Sequence, residues 1–170
     1  MYWKLIGALF VIAACGGFGF KLVSAHLKEE KMLRQLTSVL DYMACELQYR
    51  QTPLPLLCRQ AASETGGMLG EILLSFTHNL EDQISSEVSG CMKISLDAFK
   101  EIPSLTRDAM ELLGRSLGRF DIQGQLLGLE AVRTQCRRNL EELNQNKSVR
   151  LRGYQTLALC AGAALAILFL

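Results

Sequence analysis

LGRSLGRFDIQGQ, residues Leu113 to Gln125, decides how this chain is divided. One helix is expected to stop at Gly118, because glycine has no Cβ to clash in the left-handed conformation that closes helices. A second is expected to begin at Asp121, whose carboxylate can accept from the free N–H groups of a first helical turn. No proline occurs from Ile122 to Leu170, and the last seventeen residues, Tyr154 to Leu170, are nearly all apolar. The pattern predicts one rod that starts in water and ends in lipid. Unbroken, it would be roughly 70 Å long at about 1.5 Å per residue.

Working outward, the opposite end of the chain is apolar too. Leu5 to Phe20 carries no charge, and Leu22 and Val23 extend the run past Lys21. As a helix it just reaches the ~17 residues a bilayer requires, with Lys21 able to snorkel. Tyr2 and Trp3 stand where interfacial aromatics belong. Val23-Ser24-Ala25 also resembles the processing site of a secretory signal. Lys21 before that site and the basic stretch after it favour a retained anchor.

Between these ends the leucines follow helical spacing. Leu33, Leu36, Leu40, Met43 and Leu47 step by three and four, a seam that reads as the core face of a bundle helix or, less simply, as a partner-binding coiled-coil face. YRQTPLP, Tyr49 to Pro55, breaks the run; Thr52 is expected as N-cap, with Pro53 at the first helical position. The helix that follows is expected to run to Ala62 and end around Gly66-Gly67. A further stripe reads Leu69, Ile72, Leu73, Phe76, Leu80, and a weaker one over Glu81 to Phe99 reads Ile84, Val88, Cys91, Ser95. After Pro103, Thr106 is expected to cap a helix over Arg107 to Leu117, with Leu105 and Met110 at hydrophobic-staple spacing. On the last helix Leu126, Leu129, Val132, Cys136, Leu140 and Leu143 are expected to face the bundle. The fold class is therefore all-α: an N-terminal anchor (1–24), a helical bundle (25–152) and a C-terminal span (153–170). Ala158, Gly162 and Ala166 give that span a small-residue face suited to packing on another membrane helix.

Basic residues set the topology. Lys21, Lys28, Lys31 and Arg34 flank one apolar run on the bundle side, and Lys147, Arg150 and Arg152 flank the other. The positive-inside tendency places residues 25–152 in the cytoplasm. That compartment is reducing, in agreement with six scattered cysteines of which no two lie closer than Cys45 and Cys58.

The chemistry expected of the chain is none. A net charge of +1 argues against a general nucleic-acid binder. His26 and His78 are far apart and belong to no motif. Gly114, Gly118, Gly124 and Gly128 lack the lysine-serine ending of a phosphate loop. They read as close packing and a cap. No enzyme activity, cofactor, metal or small-molecule substrate is expected. Arg115 and Arg119, beside Asp121, are candidates for binding an acidic group of a partner.

Three stretches resemble a known family, stage III sporulation protein AB of endospore-forming bacteria, in order and spacing along the whole chain. KLIGALF, leading to Gly19-Phe20, is similar to the family's first anchor. ELQYRQTPL is similar to its second block, through Glu46, Tyr49, Thr52 and Pro53. The third and most specific is LGRSLGRFDIQGQ, through Leu113, Gly114, Leu117, Gly118, Asp121 and Gln125. The chain departs from the family where Lys28-Glu29-Glu30-Lys31 replaces an arginine-proline element, Met92 replaces a tryptophan, and Ala158 replaces the first of two glycines. The resemblance implies a component of the sporulation channel in the mother-cell membrane around the forespore, with partners among the other channel subunits. It implies a likeness to the F-type platform protein of type II secretion, with a cytosolic domain that meets an ATPase. Self-association is left open. A membrane-embedded pore former is the alternative, although the spans lack charge or a polar lining.

Overall fold

In the computed structural model the backbone is described for residues 2–118 and 121–169, and the surroundings of side chains for 26–118 and 121–145. Among the described residues there are six helices and no strand: α1 Tyr2–Arg50, α2 Leu54–Thr65, α3 Gly67–Glu81, α4 Val88–Asp97, α5 Ser104–Ser116 and α6 Ile122–Phe169. The all-α expectation holds. Within the described residues no helix is long and apolar enough to cross a membrane. The two apolar runs of the sequence fall within α1 and α6, in segments whose side chains lie outside the described residues.

The seam of α1 is core. Leu33, Leu36, Leu40, Met43 and Leu47 are all buried, facing Leu57, Ile72, Leu73, Phe76, Met92, Leu96, Met110 and Leu113 from the other helices. Each such side chain contributes about 1.5–3 kcal/mol on burial. That sum decides the fold against the surface ion pairs, which contribute about 0–1 kcal/mol each. On α6, Leu129, Val132 and Cys136 are buried, and Leu126, Leu140 and Leu143 pack against the core from its edge.

Specific contacts fix the order of the helices and give the bundle two ends. At the end we call the root, Lys28 Nζ lies 3.5 Å from Glu101 Oε2, and Leu105 N donates to Glu29 Oε1 at 2.9 Å. At the other end, the tip, Gly118 packs against Val88 and Leu54. α1 descends from root to tip. α2 turns back beside it, with Tyr42 Oη donating to Gln60 Oε1 at 3.2 Å. α3 returns along α2, tied by Arg59 to Glu81 through two contacts of 2.6 and 2.7 Å. α4 then climbs to the root and α5 descends again, so Met92 meets Gly114 and Arg107 meets Asp97. α6 leaves the tip antiparallel to α1, with Arg133 Nη1 3.0 Å from Asp41 Oδ1. Between α3 and α4 lies a small polar network: Asn79 Nδ2 donates to Ser95 Oγ at 2.7 Å, and Ser95 Oγ donates to the Cys91 carbonyl at 2.9 Å.

Several helix starts differ from expectation. Thr52 does not cap α2; its hydroxyl donates to Glu46 Oε2 at 3.1 Å. Pro53 takes the cap position instead of the first helical one, and its carbonyl accepts from Leu57 N at 2.9 Å. Nor does Thr106 cap α5. Pro103 precedes that helix, and Thr106 is buried inside its first turn, its hydroxyl without a partner among the described residues. In both cases a proline takes the cap position instead, Pro53 one residue after Thr52 and Pro103 three residues before Thr106, with φ held by its ring. The expected stretch Glu81 to Phe99 is helical only over Val88–Asp97, because Gln83 turns left-handed at φ 50° after α3 ends. Ile84 is thereby left 55 % exposed, outside the face it was expected to share.

Candidate functional site

The two blocks that suggested a family, Glu46–Leu54 and Leu113–Gln125, are far apart in sequence and meet at the tip. Their junction is Gly118, at φ 74°. A methyl added there would stand 2.6 Å from Val88 Cγ2 and 3.6 Å from Leu54 Cδ2. Only glycine satisfies both the left-handed backbone and the contact. Asp121 starts α6 as expected, Oδ1 accepting from Gly124 N at 2.9 Å.

On the other side of the junction, Glu46 organises the end of α1. Its carboxylate accepts from Thr52 and lies 3.4 Å from Arg50 Nη1. It thereby holds the turn in which Gln51 adopts φ 52°. Burial, then Glu46 and Glu64 nearby, push the Tyr42 phenol above its ordinary range. Tyr49 projects into solvent, 76 % exposed, and Pro53 is exposed beside it.

The motif residues differ in burial, with Glu46 and Thr52 half-buried. Leu113, Gly114 and Leu117 are buried. A Cβ on Gly114 would come within 2.6 Å of Met92 Cβ, so its role is close packing of α5 on α4. Gln125 is half-buried at the start of α6. Tyr49, Pro53, Arg115, Gly118 and Asp121 are exposed. Arg115 makes no ion pair among the described residues. Arg119 lies outside the described residues, and so do the side chains of Ala158, Gly162 and Ala166, whose positions fall on the helical backbone of α6.

Sequence reasoning missed a surface that continues from Arg115. Three residues earlier on the same face of α5, Leu112 lines a shallow groove with Leu127, Glu130, Thr134 and Arg138 of α6. Leu127 is 73 % exposed. The signal was present, since Leu127 is a leucine that falls off the core-facing series of its own helix. The groove joins two apolar side chains to charges of both signs, which suits a protein partner better than a small molecule. Among the described residues no three His, Cys, Asp or Glu side chains converge as metal ligands. Cys45, Cys58, Cys91 and Cys136 are free thiols, and burial pushes Cys58 to about 12 and Cys136 to about 11, away from any nucleophilic form at neutral pH.

Comparison with known proteins agrees with this architecture. Stage III sporulation protein AB of Bacillus subtilis (strain 168) is 24 % identical over 170 residues, covering 98 % of this chain and 99 % of that protein. A solved structure of stage III sporulation protein AB (SpoIIIAB) shares the fold at a TM-score of 0.62 and 20 % identity, over 72 % of this chain and 98 % of that one. The family model for stage III sporulation protein AB (spore_III_AB) matches residues 4–170, so the chain belongs to the stage III sporulation protein AB family, which supports a role in sporulation.

Proposed function

We propose that this chain is a non-enzymatic, two-pass membrane platform of the mother-cell to forespore channel, its tip receiving an ATPase on the cytoplasmic side. The observation that carries the reading is the antiparallel pairing of α1 and α6. Counting outward from Asp41 and Arg133 brings Phe20 level with Tyr154 and Leu5 level with Phe169. Two helices paired in this register bring both apolar runs to the same depth, as two spans of one bilayer require. The bundle, residues 25–152, then hangs below them with its root at the membrane and its tip farthest away. From Phe20 to Arg50 is about 45 Å of helix at 1.5 Å per residue. That reach suits a tip that meets a soluble partner clear of the lipid headgroups.

At the tip, Arg115 with Arg119 offers charge, and Leu112 with Leu127 offers apolar contact. Polar rims around apolar centres are the usual anatomy of such interfaces. The other channel subunits would pack on the spans, where Ala158, Gly162 and Ala166 allow close approach. The test is capture of the channel ATPase by the full chain in detergent. The double charge reversal Arg115→Glu, Arg119→Glu should weaken capture with helicity unchanged. Undiminished capture by the folded variant would remove the two arginines from the interface, and no capture by the wild type at any salt concentration would sink the ATPase contact.

A further inference from the structure

The root of the bundle carries a turn whose construction is unlike that of the other connections. It is the segment 98–103 between α4 and α5. Three charged side chains from outside the turn hold it in place. Arg107 donates through Nη2 to the carbonyls of Leu96 and Phe99, at 2.8 and 3.3 Å, and pairs with Asp97. Lys28 donates to the Glu101 carbonyl at 3.3 Å and pairs with its carboxylate. Glu29 accepts from Leu105 N, 76 residues later, so an α1 carboxylate caps the first turn of α5. Phe99 and Ile102 pack against the core from within the turn. The acidic groups here are therefore engaged: Asp97 by Arg107, Glu101 by Lys28, Glu29 by the N-terminus of α5. Lys100 is exposed and has no ion pair among the described residues.

The level of this turn matters. Lys28 follows Val23, the last residue of the first apolar run, by five residues, or about 7–8 Å of helix rise. The headgroup layer on one side of a bilayer is about 5–7 Å deep. The α2–α3 connection at Gly66 also faces the root but starts lower, since α2 runs level with Tyr42 at Gln60. Counting from the Asp41–Arg133 pair, Lys147, Arg150 and Arg152 of the sequence stand level with residues 27, 24 and 22.

We infer that the α4–α5 turn rests on the bilayer surface and that Lys100 binds anionic phospholipid headgroups there, with Lys28 and Glu29 clamping the turn to α1 at that depth. The inference rests on the two-span reading. It assigns the root a second task beyond joining spans to bundle: it fixes the tilt of the bundle against the membrane. A basic side chain at an anionic surface favours contact by about fivefold.

The test uses the full chain in vesicles of phosphatidylcholine alone or with phosphatidylglycerol, followed by hydrogen exchange of the peptide spanning 97–103. The expected result is exchange about fivefold slower with the anionic lipid, a difference lost in Lys100→Glu and retained in Lys93→Glu, which alters charge equally on the exposed face of α4. Equal exchange in both lipids, for a chain that floats with the vesicles and resists carbonate extraction, would overturn the inference and leave the two-span reading standing. Loss of the difference in Lys93→Glu as well would overturn it too, because overall charge would then explain the effect. A wild-type chain that floats with neither vesicle overturns both readings.

Discussion

Replacing Gly118 by alanine tests the junction on which the tip depends. Two penalties add. A non-glycine residue held at φ 74° costs about 1–2 kcal/mol relative to glycine. The new methyl, 2.6 Å from Val88 Cγ2, must push that side chain or the backbone aside, and overpacking of this kind costs about 1–3 kcal/mol. Because the junction lies at an end of the bundle, part of the clash relaxes, and a total of about 2–4 kcal/mol is expected. The two penalties can be separated. Val88→Ala removes the nearest clashing atoms and leaves φ unchanged. In the double variant the steric part should vanish, so the two substitutions together should cost less than the sum of each alone by about 1 kcal/mol or more. The assay is urea unfolding of the full chain in mild detergent, followed by far-UV circular dichroism. A cost for Gly118→Ala below about 0.5 kcal/mol, the level of an ordinary surface change, would refute the claim that both backbone and contact demand glycine. Strict additivity with Val88→Ala would refute the contact alone.

Glu29→Ala should cost about 1–2 kcal/mol, as loss of a charged cap does, with hydrogen exchange quickening first at Leu105; Glu29→Gln, which can still accept the bond, should cost less. Thiol mapping by mass spectrometry should show Cys45 modified well before Cys58 and Cys136 in the folded chain, and comparable rates for all three in urea. Cys58 also gives a pH signature. Its pKa is raised by burial from about 9 to about 12, so its contribution is intact below pH 9 and is lost as pH rises toward 12, at up to about 1.4 kcal/mol per unit; Cys58→Ala should flatten that alkaline slope.

What could be read in the sequence was whatever depends on periodicity or on a single residue's local preference. The stripe from Leu33 to Leu47 announces its buried face because burial of each leucine outweighs any surface contact. Gly118 announces a left-handed residue, although α5 ends at Ser116 with Leu117 as its cap, and Asp121 announces a helix start because it acts within one turn of backbone. Thr52 and Thr106 misled for the same reason. Their side chains suit caps, but a neighbouring proline had already set the boundary, and for Thr52 the carboxylate of Glu46 was a better partner. Wholly illegible were contacts between residues distant in the chain. Nothing near Glu29 indicates that it caps α5, and nothing near Arg133 indicates Asp41. The tip was half legible: its motifs were found, but only the fold brings Leu54 beside Gly118, and only a third dimension turns Leu127 from a stray leucine into the wall of a groove.

The pairing of the first helix with the last has a consequence for synthesis. Asp41 is translated 92 residues before Arg133, an interval of about 5–18 s at typical elongation rates. Throughout it, the leucines of α1 have only α2 to α5 to cover them. The α2–α3 hairpin, made of neighbours in sequence, can form early and shelter part of that stripe. Final closure must await synthesis of α6, so a nascent chain stalled before Ile122 should be the form that chaperones hold.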